Sequence, residues 1–297
     1  MSLRNIFRRG LITGSVSLRL DELALWLHRA RRDGSDPRVL VVEMHETMAR
    51  DAERFRRQLA WVVERFVLIS PREFFNLWEL RGRHGSNSKP AILFTFDDGR
   101  ASNYNIAAPI LESLGTRGLF FVVPDFIGLR GSEARDFYYS RIDVRGLPPA
   151  EDEEVWRPMS PEQVSDLTRR GHEVGNHTLS HVNLVGLSEQ DLRTEVVSSA
   201  EKIATWTGKR PDAFAWPYSW DAISRPAWEL ITKNHRFCFS PCPGVVRRAA
   251  DSPRLVWRTE VECYYRSAEY RFMYSGLASA FWSSKRQRLR GILGNQV

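Results

Sequence analysis

Short apolar runs alternate with amphipathic segments along most of the chain, and this alternation constrains the fold more than any other feature. Four runs have the length and composition of buried strands: RVLVVEMH, VLIS, AILFTF and RGLFFVVP. Two segments between them carry apolar residues at helical spacing, DAERFRRQLAWVVERF and NYNIAAPILESLG, and Gly115 ends the second. The alternation predicts an α/β fold with a mainly parallel sheet covered by helices, built as a barrel or as a doubly wound sheet.

The same order of elements continues after residue 158. Helices are predicted over SPEQVSDLTRRG and SEQDLRTEVVSSAEKIATWTG, the second with a variant capping box in which Asp191 follows Ser188 by three residues. Strands are predicted over HEVGNH, DAFAWPY, RFCFS and LVWRTEV. Residues 128–158 mix glycine, proline, charged and aromatic residues without a period. They predict an insertion or lid over one end of the sheet.

The 297 residues therefore divide into three predicted parts: a basic, mostly helical segment (1–36), a main α/β domain (37–265) and a basic tail (266–297). The net charge of +7 and the pI near 9.6 come largely from arginine clusters in the two end segments. Such clusters suit an anionic partner such as the inner face of a membrane, although a solvated basic surface that aids solubility is the favoured explanation. No nucleic-acid motif accompanies them, so nucleic acid is not predicted as a partner.

Apolar runs in the sequence bear on where in the cell the protein is expected. The N-terminal stretch lacks a continuous apolar region typical of a signal peptide, and no run reaches the roughly 18 apolar residues of a membrane span. These observations predict a cytoplasmic protein, at most peripheral to the inner membrane. Its three cysteines, Cys238, Cys242 and Cys263, form no paired framework and are expected to be ordinary thiols rather than metal ligands.

Two adjacent carboxylates follow the run AILFTF directly. Asp97 and Asp98 would repel each other in a buried place unless a cation or a proton were present. Ligand chemistry in parallel α/β folds collects at the carboxyl ends of strands, and Gly99 permits a tight turn that directs both side chains into one cleft. Asp-Gly is also a common turn sequence, so this stretch alone leaves both interpretations open.

Two further stretches place candidate ligand and oxyanion-binding residues at the ends of predicted strands. GNHTLSHVN holds His177 and His181 at a spacing that, if helical, would let both imidazoles bind one ion, with a surface turn as the alternative. His172 is expected to be a strand-end polar residue and not a ligand. In FAWPYSW, Pro217 fixes the backbone so that the amide of Tyr218 could serve as an oxyanion donor, while the tryptophans line a wall or pack in the core.

Together, the aspartate pair, the histidine pair and the Pro-Tyr turn resemble the pattern of the polysaccharide deacetylases (carbohydrate esterase family 4, the NodB-homology domain). The resemblance runs from about Val39 to Val261 and rests on TFDDG, GHEVGNHTLSH, FAWPYS and the context NYNIAAPILESLGTRGLFFV. It implies an α/β fold of the distorted (β/α) barrel type. It also implies one divalent metal ion, usually zinc, and removal of an acyl group from an N-acylated sugar.

The resemblance also implies a role for each motif residue. By position, Asp97 would be the general base, and the metal ligands would be Asp98, His177 and His181. The backbone N–H of Tyr218 would hold the oxyanion. These roles are chemically consistent, because an amide carbonyl is a poor electrophile that benefits from a Lewis acid, and the ion would keep both neighbouring aspartates ionised.

Two residues of the family pattern are missing from their usual places. Ala215 stands where many members have the arginine that orients the base, and no Leu-x-His follows Tyr218 to supply the acid. His235 is not expected to fill that role, so the candidates for the acid are water, a residue of the 128–158 insertion, or no acid at all. The stretch DSPRLVWRTEV resembles the closing strand of members tied to cell-envelope sugar synthesis.

The leading hypothesis is therefore a metal-dependent hydrolase that removes an N-acetyl group from an amino sugar in a glycan or glycolipid precursor. The alternative is a carbohydrate-binding pseudoenzyme on the same fold.

Overall fold

The computed structural model describes residues 12–30, 38–77, 89–146, 150–247, 251–252 and 254–294. Within these residues ten strands form one sheet, in the order β10-β1-β3-β4-β5-β6-β7-β9, with β2 beside β3 and β8 beside β1. Every pairing is parallel apart from that of β1 with β8. The strands are β1 (Arg38–Met44), β2 (Val67–Leu68), β3 (Ala91–Phe96), β4 (Leu119–Val122), β5 (Glu173–Asn176), β6 (Ala213–Ala215), β7 (Phe237–Ser240), β8 (Val245–Arg247), β9 (Val256–Trp257) and β10 (Thr259–Glu260).

The two ends of this sheet meet at one residue. Strand β9 pairs with β7 and strand β10 pairs with β1, yet only Arg258 separates β9 from β10 in the chain. The backbone N–H of Arg258 donates to Ser240 O, and that of Val261 donates to Glu43 O. The sheet is therefore a nearly closed barrel, which is the first of the two architectures that the alternation of elements predicts.

Helices cover the outer surface of the sheet, and several begin where the sequence predicts. Ser70 accepts from Glu73 N and Ser188 from Asp191 N, so both caps satisfy a backbone donor of the first turn. The helices are α1 (Leu20–Ala30), α2 (Ala52–Arg65), α3 (Pro71–Asn76), α4 (Ala108–Ser113), α5 (Gly131–Phe137), α6 (Pro161–Arg169), α7 (Glu189–Arg193), α8 (Ser199–Thr207), α9 (Arg225–Asn234), α10 (Ser267–Tyr274), α11 (Leu277–Ala280) and α12 (Ser283–Leu293). None of the described helices is both long and apolar enough to span a membrane.

Alternation along the strands divides the apolar side chains between two clusters. Leu40 and Val42 of β1 pack with α2, whereas Val39 and Val41 pack in a second cluster that includes Phe121 of β4. The ring of Phe121 lies 5.1 Å from that of Phe239 on β7, although two strands separate β4 from β7 in the sheet. This contact therefore crosses the barrel interior, and by the same alternation Glu43 of β1 belongs to the inner row.

The insertion and the C-terminal segment contain more regular structure than their sequences indicate. Within 128–158, α5 continues into a π-helical turn, Tyr138–Ile142, and packs around a small cluster of its own. Beyond residue 266, α10 places Tyr274 against Phe94 of β3, with ring centroids 6.5 Å apart. The described part of the C-terminal segment thus packs on the barrel.

Candidate metal and proton-transfer site

The polar side chains of interest lie where strands of the barrel end. Asp97 and Asp98 follow β3, His177 follows β5, and Tyr218 lies three residues after β6. The structure brings Asp98, His177 and His181 together, with their ligand atoms all within 4.8 Å of one another. All three are buried. The predicted ligand set is therefore one compact cluster at the carboxyl end of the parallel sheet.

The spacing and chemistry of this cluster fit a divalent metal ion. Asp98 Oδ1 lies 3.7 Å from His177 Nε2 and 3.5 Å from His181 Nε2. A tetrahedral site with bonds of about 2.0–2.2 Å separates its ligand atoms by about 3.3–3.6 Å. Two imidazoles and one carboxylate also form a donor set typical of catalytic zinc, which leaves a position for water or substrate.

Each histidine of the cluster is oriented by a backbone carbonyl. His177 Nδ1 lies 2.8 Å from Ala215 O, and His181 Nδ1 lies 2.7 Å from Arg141 O. A carbonyl only accepts, so each Nδ1 carries the proton and each Nε2 presents a lone pair towards Asp98. Burial lowers the pKa of both histidines to about 4, which keeps them neutral near pH 7, as metal ligation requires.

The histidine pair lies on a loop and not on a helix, so the helical interpretation of its spacing is wrong. No helix occurs between β5 and α7, and His181 has a φ of 56° with Thr178 at 64°. The Glu195 carboxylate holds this loop by accepting from the N–H groups of Leu179 and Ser180 at 2.9 and 3.0 Å. Left-handed backbone at two residues, rather than helical periodicity, brings the imidazoles together.

Backbone strain is concentrated at this site. Five non-glycine residues in the described chain have positive φ, and four of them are Asp98, Thr178, His181 and Tyr218. Such conformations cost about 1–3 kcal/mol each and cluster at functional sites, where surrounding structure holds them. A side chain at Gly99, which has a φ of 80°, would strain the backbone, and its Cβ would lie 2.8 Å from Ile127 Cδ1 and force that side chain to shift.

Asp97 has a buried arginine partner that the sequence analysis missed. Arg258 Nη1 donates to Asp97 Oδ1 at 2.6 Å, and both side chains are almost completely buried. Burial opposes ionisation of Asp97, but the charge of Arg258, together with that of His177 once it is protonated at acidic pH, outweighs burial and lowers the pKa of Asp97 to about 2. Arg258 therefore supplies, next to Asp97, the cation that Ala215 cannot supply. The signal in the sequence is a lone arginine within the apolar stretch LVWRTEV.

Arg258 also occupies the space between Asp97 and a second carboxylate. Its Nη2 lies 3.3 Å from Glu43 Oε1. Burial raises the pKa of Glu43 to about 7, and the opposing charge of Arg258 limits that rise. Glu43, His45 and Asp97 form a second cluster with metal-ligand spacing among the described residues, but the guanidinium already provides its positive charge.

His45 follows β1 and lies beside this group. Its Nδ1 lies 2.7 Å from Glu262 Oε1, and its Nε2 lies 3.7 Å from Glu43 Oε1. Burial alone would lower the pKa of His45, but the hydrogen bond and charge of Glu262, with the charges of Asp98 and Glu43, raise it well above the usual value. The imidazole is 35% exposed, so it is a protonated group within reach of a substrate.

Tyr218 lies on the rim of the cluster. Its φ is 68°, and within the described part of the chain its backbone N–H has no acceptor. Its hydroxyl lies 2.6 Å from Arg141 O and 2.8 Å from His181 O, and its ring packs edge-on to His181 at 4.7 Å. Trp216 is fully buried in the core and does not line a wall.

Two other histidines lie away from the cluster. His172 binds Glu112 and the backbone of Gly118, and His235 is buried near Asn176. Neither contacts the ligand residues.

A family sequence model described as "Polysaccharide deacetylase" matches residues 84–233, which is half of the chain. The chain belongs to the polysaccharide deacetylase family. This match confirms the resemblance that the three motifs carry. It also places the chain in a family of hydrolases.

Individual relatives are distant. YxkH of Bacillus subtilis, whose name places it with polysaccharide deacetylases, is 25% identical over 112 residues, which are 38% of this chain and 31% of that protein. The structure of IcaB from Ammonifex degensii aligns with a TM-score of 0.61 at 21% identity, covering 81% of this chain and 97% of that one. A de-N-acetylase from Aggregatibacter actinomycetemcomitans aligns with a TM-score of 0.55 at 17% identity, covering 77% and 97%. These structures confirm the distorted barrel of a polysaccharide deacetylase.

Proposed function

We propose that this polysaccharide deacetylase is a metal-dependent N-deacetylase acting on an amino sugar of a glycan or glycolipid precursor in cell-envelope polysaccharide synthesis. One observation carries the proposal: a triad with metal-ligand spacing lies beside an aspartate whose pKa is lowered and a histidine whose pKa is raised. His177 Nε2 lies 3.7 Å from Asp97 Oδ2, and His45 and Asp97 have ligand-type atoms within 4.8 Å of each other. Metal-assisted amide hydrolysis uses a Lewis acid, a general base and a general acid in one place.

Asp98, His177 and His181 would hold the ion through one oxygen and two Nε2 atoms. Zinc suits this donor set, and a divalent ion held there would supply a Lewis acid that polarises the amide carbonyl and acidifies a bound water. Asp97 then acts as general base and takes the proton of the attacking water. Its low pKa leaves it ionised across the neutral range, and Arg258 fixes its orientation.

Tyr218 provides a donor for the oxygen that becomes negative. Its backbone N–H lacks an acceptor in the described chain, and the left-handed conformation of the residue holds that N–H at the rim of the cluster. A fixed donor of this kind stabilises the oxyanion without reorganisation. The hydroxyl is bound to carbonyl oxygens and is not needed for this role.

His45 completes the reaction as general acid. Collapse of the tetrahedral intermediate expels an amine, which must be protonated as it leaves. His45 is positively charged near neutral pH, partly exposed, and oriented by Glu262 through Nδ1, which leaves Nε2–H free to donate. It comes from β1 and not from the late Leu-x-His, so the missing motif does not imply a missing acid.

The similarity to a protein named as a de-N-acetylase supports an N-acetylated sugar as substrate. The direct test is acetate release from N-acetylglucosamine oligosaccharides by protein reconstituted with zinc or another divalent ion. We expect release that depends on the ion. Oligosaccharide binding without acetate release under any divalent ion would instead favour the carbohydrate-binding pseudoenzyme.

A further inference from the structure

One metal-ligand histidine is held by the insertion and not by the barrel. The carbonyl of Arg141 lies in the π-helical turn Tyr138–Ile142 and accepts from His181 Nδ1 at 2.7 Å and from the Tyr218 hydroxyl at 2.6 Å. His177 differs, since its Nδ1 donates to Ala215 O in the barrel strand β6. The two imidazoles of one proposed metal site are therefore oriented by separate parts of the molecule.

Arg100 fastens this turn to the site. It lies two residues after Asp98 and is 1% exposed, although it is a large charged residue. Its guanidinium lies over the ring of Tyr138 at 5.1 Å, pairs with Glu46 at 3.3 Å and donates to Val155 O. One side chain thus links the end of β3, the loop after β1 and two points of the insertion.

Tyr138 also ties the turn to the small core of the insertion. It is buried with Val123, Phe126 and Trp156. Its ring lies 6.3 Å from that of Phe126 and 5.0 Å from that of Tyr139. The position of the Arg141 carbonyl, two positions beyond Tyr139, is thus set by this packing and by Arg100.

We propose that the 128–158 insertion is part of the metal-binding machinery, with the Arg141 carbonyl, Tyr138 and Arg100 acting as positioning residues for His181. This inference rests on the proposed metal site. A carbonyl bound to Nδ1 fixes the tautomer and the ring orientation of a ligating histidine, and loss of such a partner typically weakens metal binding about 10–100-fold. By linkage, a metal ion bound at His181 must stabilise the docked insertion to the same extent.

The test measures zinc affinity by competition with a chromophoric chelator, in the full chain and without substrate. Tyr138→Ala should weaken zinc binding about 10–100-fold. Tyr138→Phe keeps the ring over Arg100 and should stay within about threefold of wild type. Arg141→Ala should also bind normally, because the contact uses the backbone carbonyl. Tyr270→Ala, which truncates a tyrosine of α10 packed on Trp61, is the matched control for losing an aromatic ring elsewhere.

Two spectroscopic measurements separate positioning from general destabilisation. The visible spectrum of the cobalt(II) form should change in Tyr138→Ala and not in Tyr270→Ala, because only the former alters the orientation of a ligand. In wild type, adding zinc should slow hydrogen exchange of the amides in 138–142. This second measurement needs no variant and stands even if Tyr138→Ala does not fold.

Equal zinc affinity of Tyr138→Ala and wild type, or exchange in 138–142 that zinc leaves unchanged, would overturn the inference while leaving the metal site intact. Failure of wild type to bind zinc or any other divalent ion would instead contradict the proposed function itself.

Discussion

The proposed metal-binding half of the site and its proposed proton-transfer half are built in different ways. The three ligand residues come from two short stretches, each of which follows one strand. In contrast, Arg258 binds Asp97 across 161 positions of sequence, and His45 binds Glu262 across 217. Short sequence motifs contain the proposed metal ligands. The proton-transfer residues meet only when the barrel closes, because Arg258 lies between β9 and β10 and β10 pairs with β1.

Substitutions in the two halves should have different effects on metal binding and on turnover. Loss of a ligand should abolish both metal binding and turnover. Loss of a proton-transfer residue should spare the metal and change the rate and its pH dependence.

The double variant Asp98→Ala with His177→Ala removes two of three ligands and should lose both bound metal and acetate release. The metal supplies several kcal/mol of transition-state stabilisation, so the rate should fall on the order of 10³-fold or more. Metal analysis of the purified protein and acetate release on an N-acetylglucosamine oligosaccharide check this. Turnover retained by the double variant would contradict the metal-binding half of the account.

His45→Gln should lower kcat by about 10²-fold or more, since it removes the general acid, while zinc affinity stays near that of wild type. The protonated imidazole is the active form, so wild-type activity should fall as the pH rises through the raised pKa of His45. Charged and titratable groups around His45 are Glu43, Asp97, Asp98 and Glu262. The variant should lack this alkaline decline.

A substrate with a good leaving group provides the control for His45. An aryl acetate expels a phenolate that needs no proton, so His45→Gln should hydrolyse it at close to the wild-type rate. An equal loss on the oligosaccharide and on the aryl ester would show that His45 is not the acid.

Arg258→Gln should lower kcat about 10–100-fold and destabilise the fold by about 3–5 kcal/mol, because breaking a buried pair leaves carboxylates without their cation. It should also raise the pKa of Asp97 from about 2. The base works only when ionised, so the loss of activity at acidic pH should begin at a higher pH than in wild type. Arg258→Lys keeps the positive charge, so its kcat and its acidic pH dependence should lie between those of wild type and Arg258→Gln. An unchanged acidic limb in Arg258→Gln would contradict the positioning role.

Glu262→Gln should have the smallest effect. Without the carboxylate the pKa of His45 should fall, so the alkaline decline of activity should move to lower pH while the rate on its acidic side changes little. A pH profile of kcat measures this shift. A profile that keeps the wild-type alkaline limb would show that Glu262 does not tune His45.

The two halves also differ in how well the sequence predicts them. TFDDG and HTLSH predict the candidate metal ligands, because each motif lies within a few residues of a strand end. The strand order then places those strand ends together. Arg258 and His45 belong to no motif of comparable length. Their function depends on the barrel closing between β9 and β10, which a local pattern does not encode.

Two local features were also beyond the sequence patterns. Left-handed backbone at Thr178 and His181 replaces the helix that the H-x3-H spacing suggested. Helix α5 and the turn that carries Arg141 are held by the aromatic cluster of the insertion and by Arg100, and not by an amphipathic period. Tertiary contacts determine both, so composition predicts an irregular insertion over 128–158 but not these helical turns.

The central claim is that one ion bound by Asp98, His177 and His181 drives deacetylation with Asp97 as its base. The most direct measurement is acetate release from an N-acetylglucosamine oligosaccharide as chelator-treated protein is titrated with zinc, in wild type and in Asp98→Ala. The account predicts that the wild-type rate rises in proportion to bound zinc and saturates at one ion per chain, while Asp98→Ala stays at background. A full rate in the metal-free protein, or in Asp98→Ala, would contradict it.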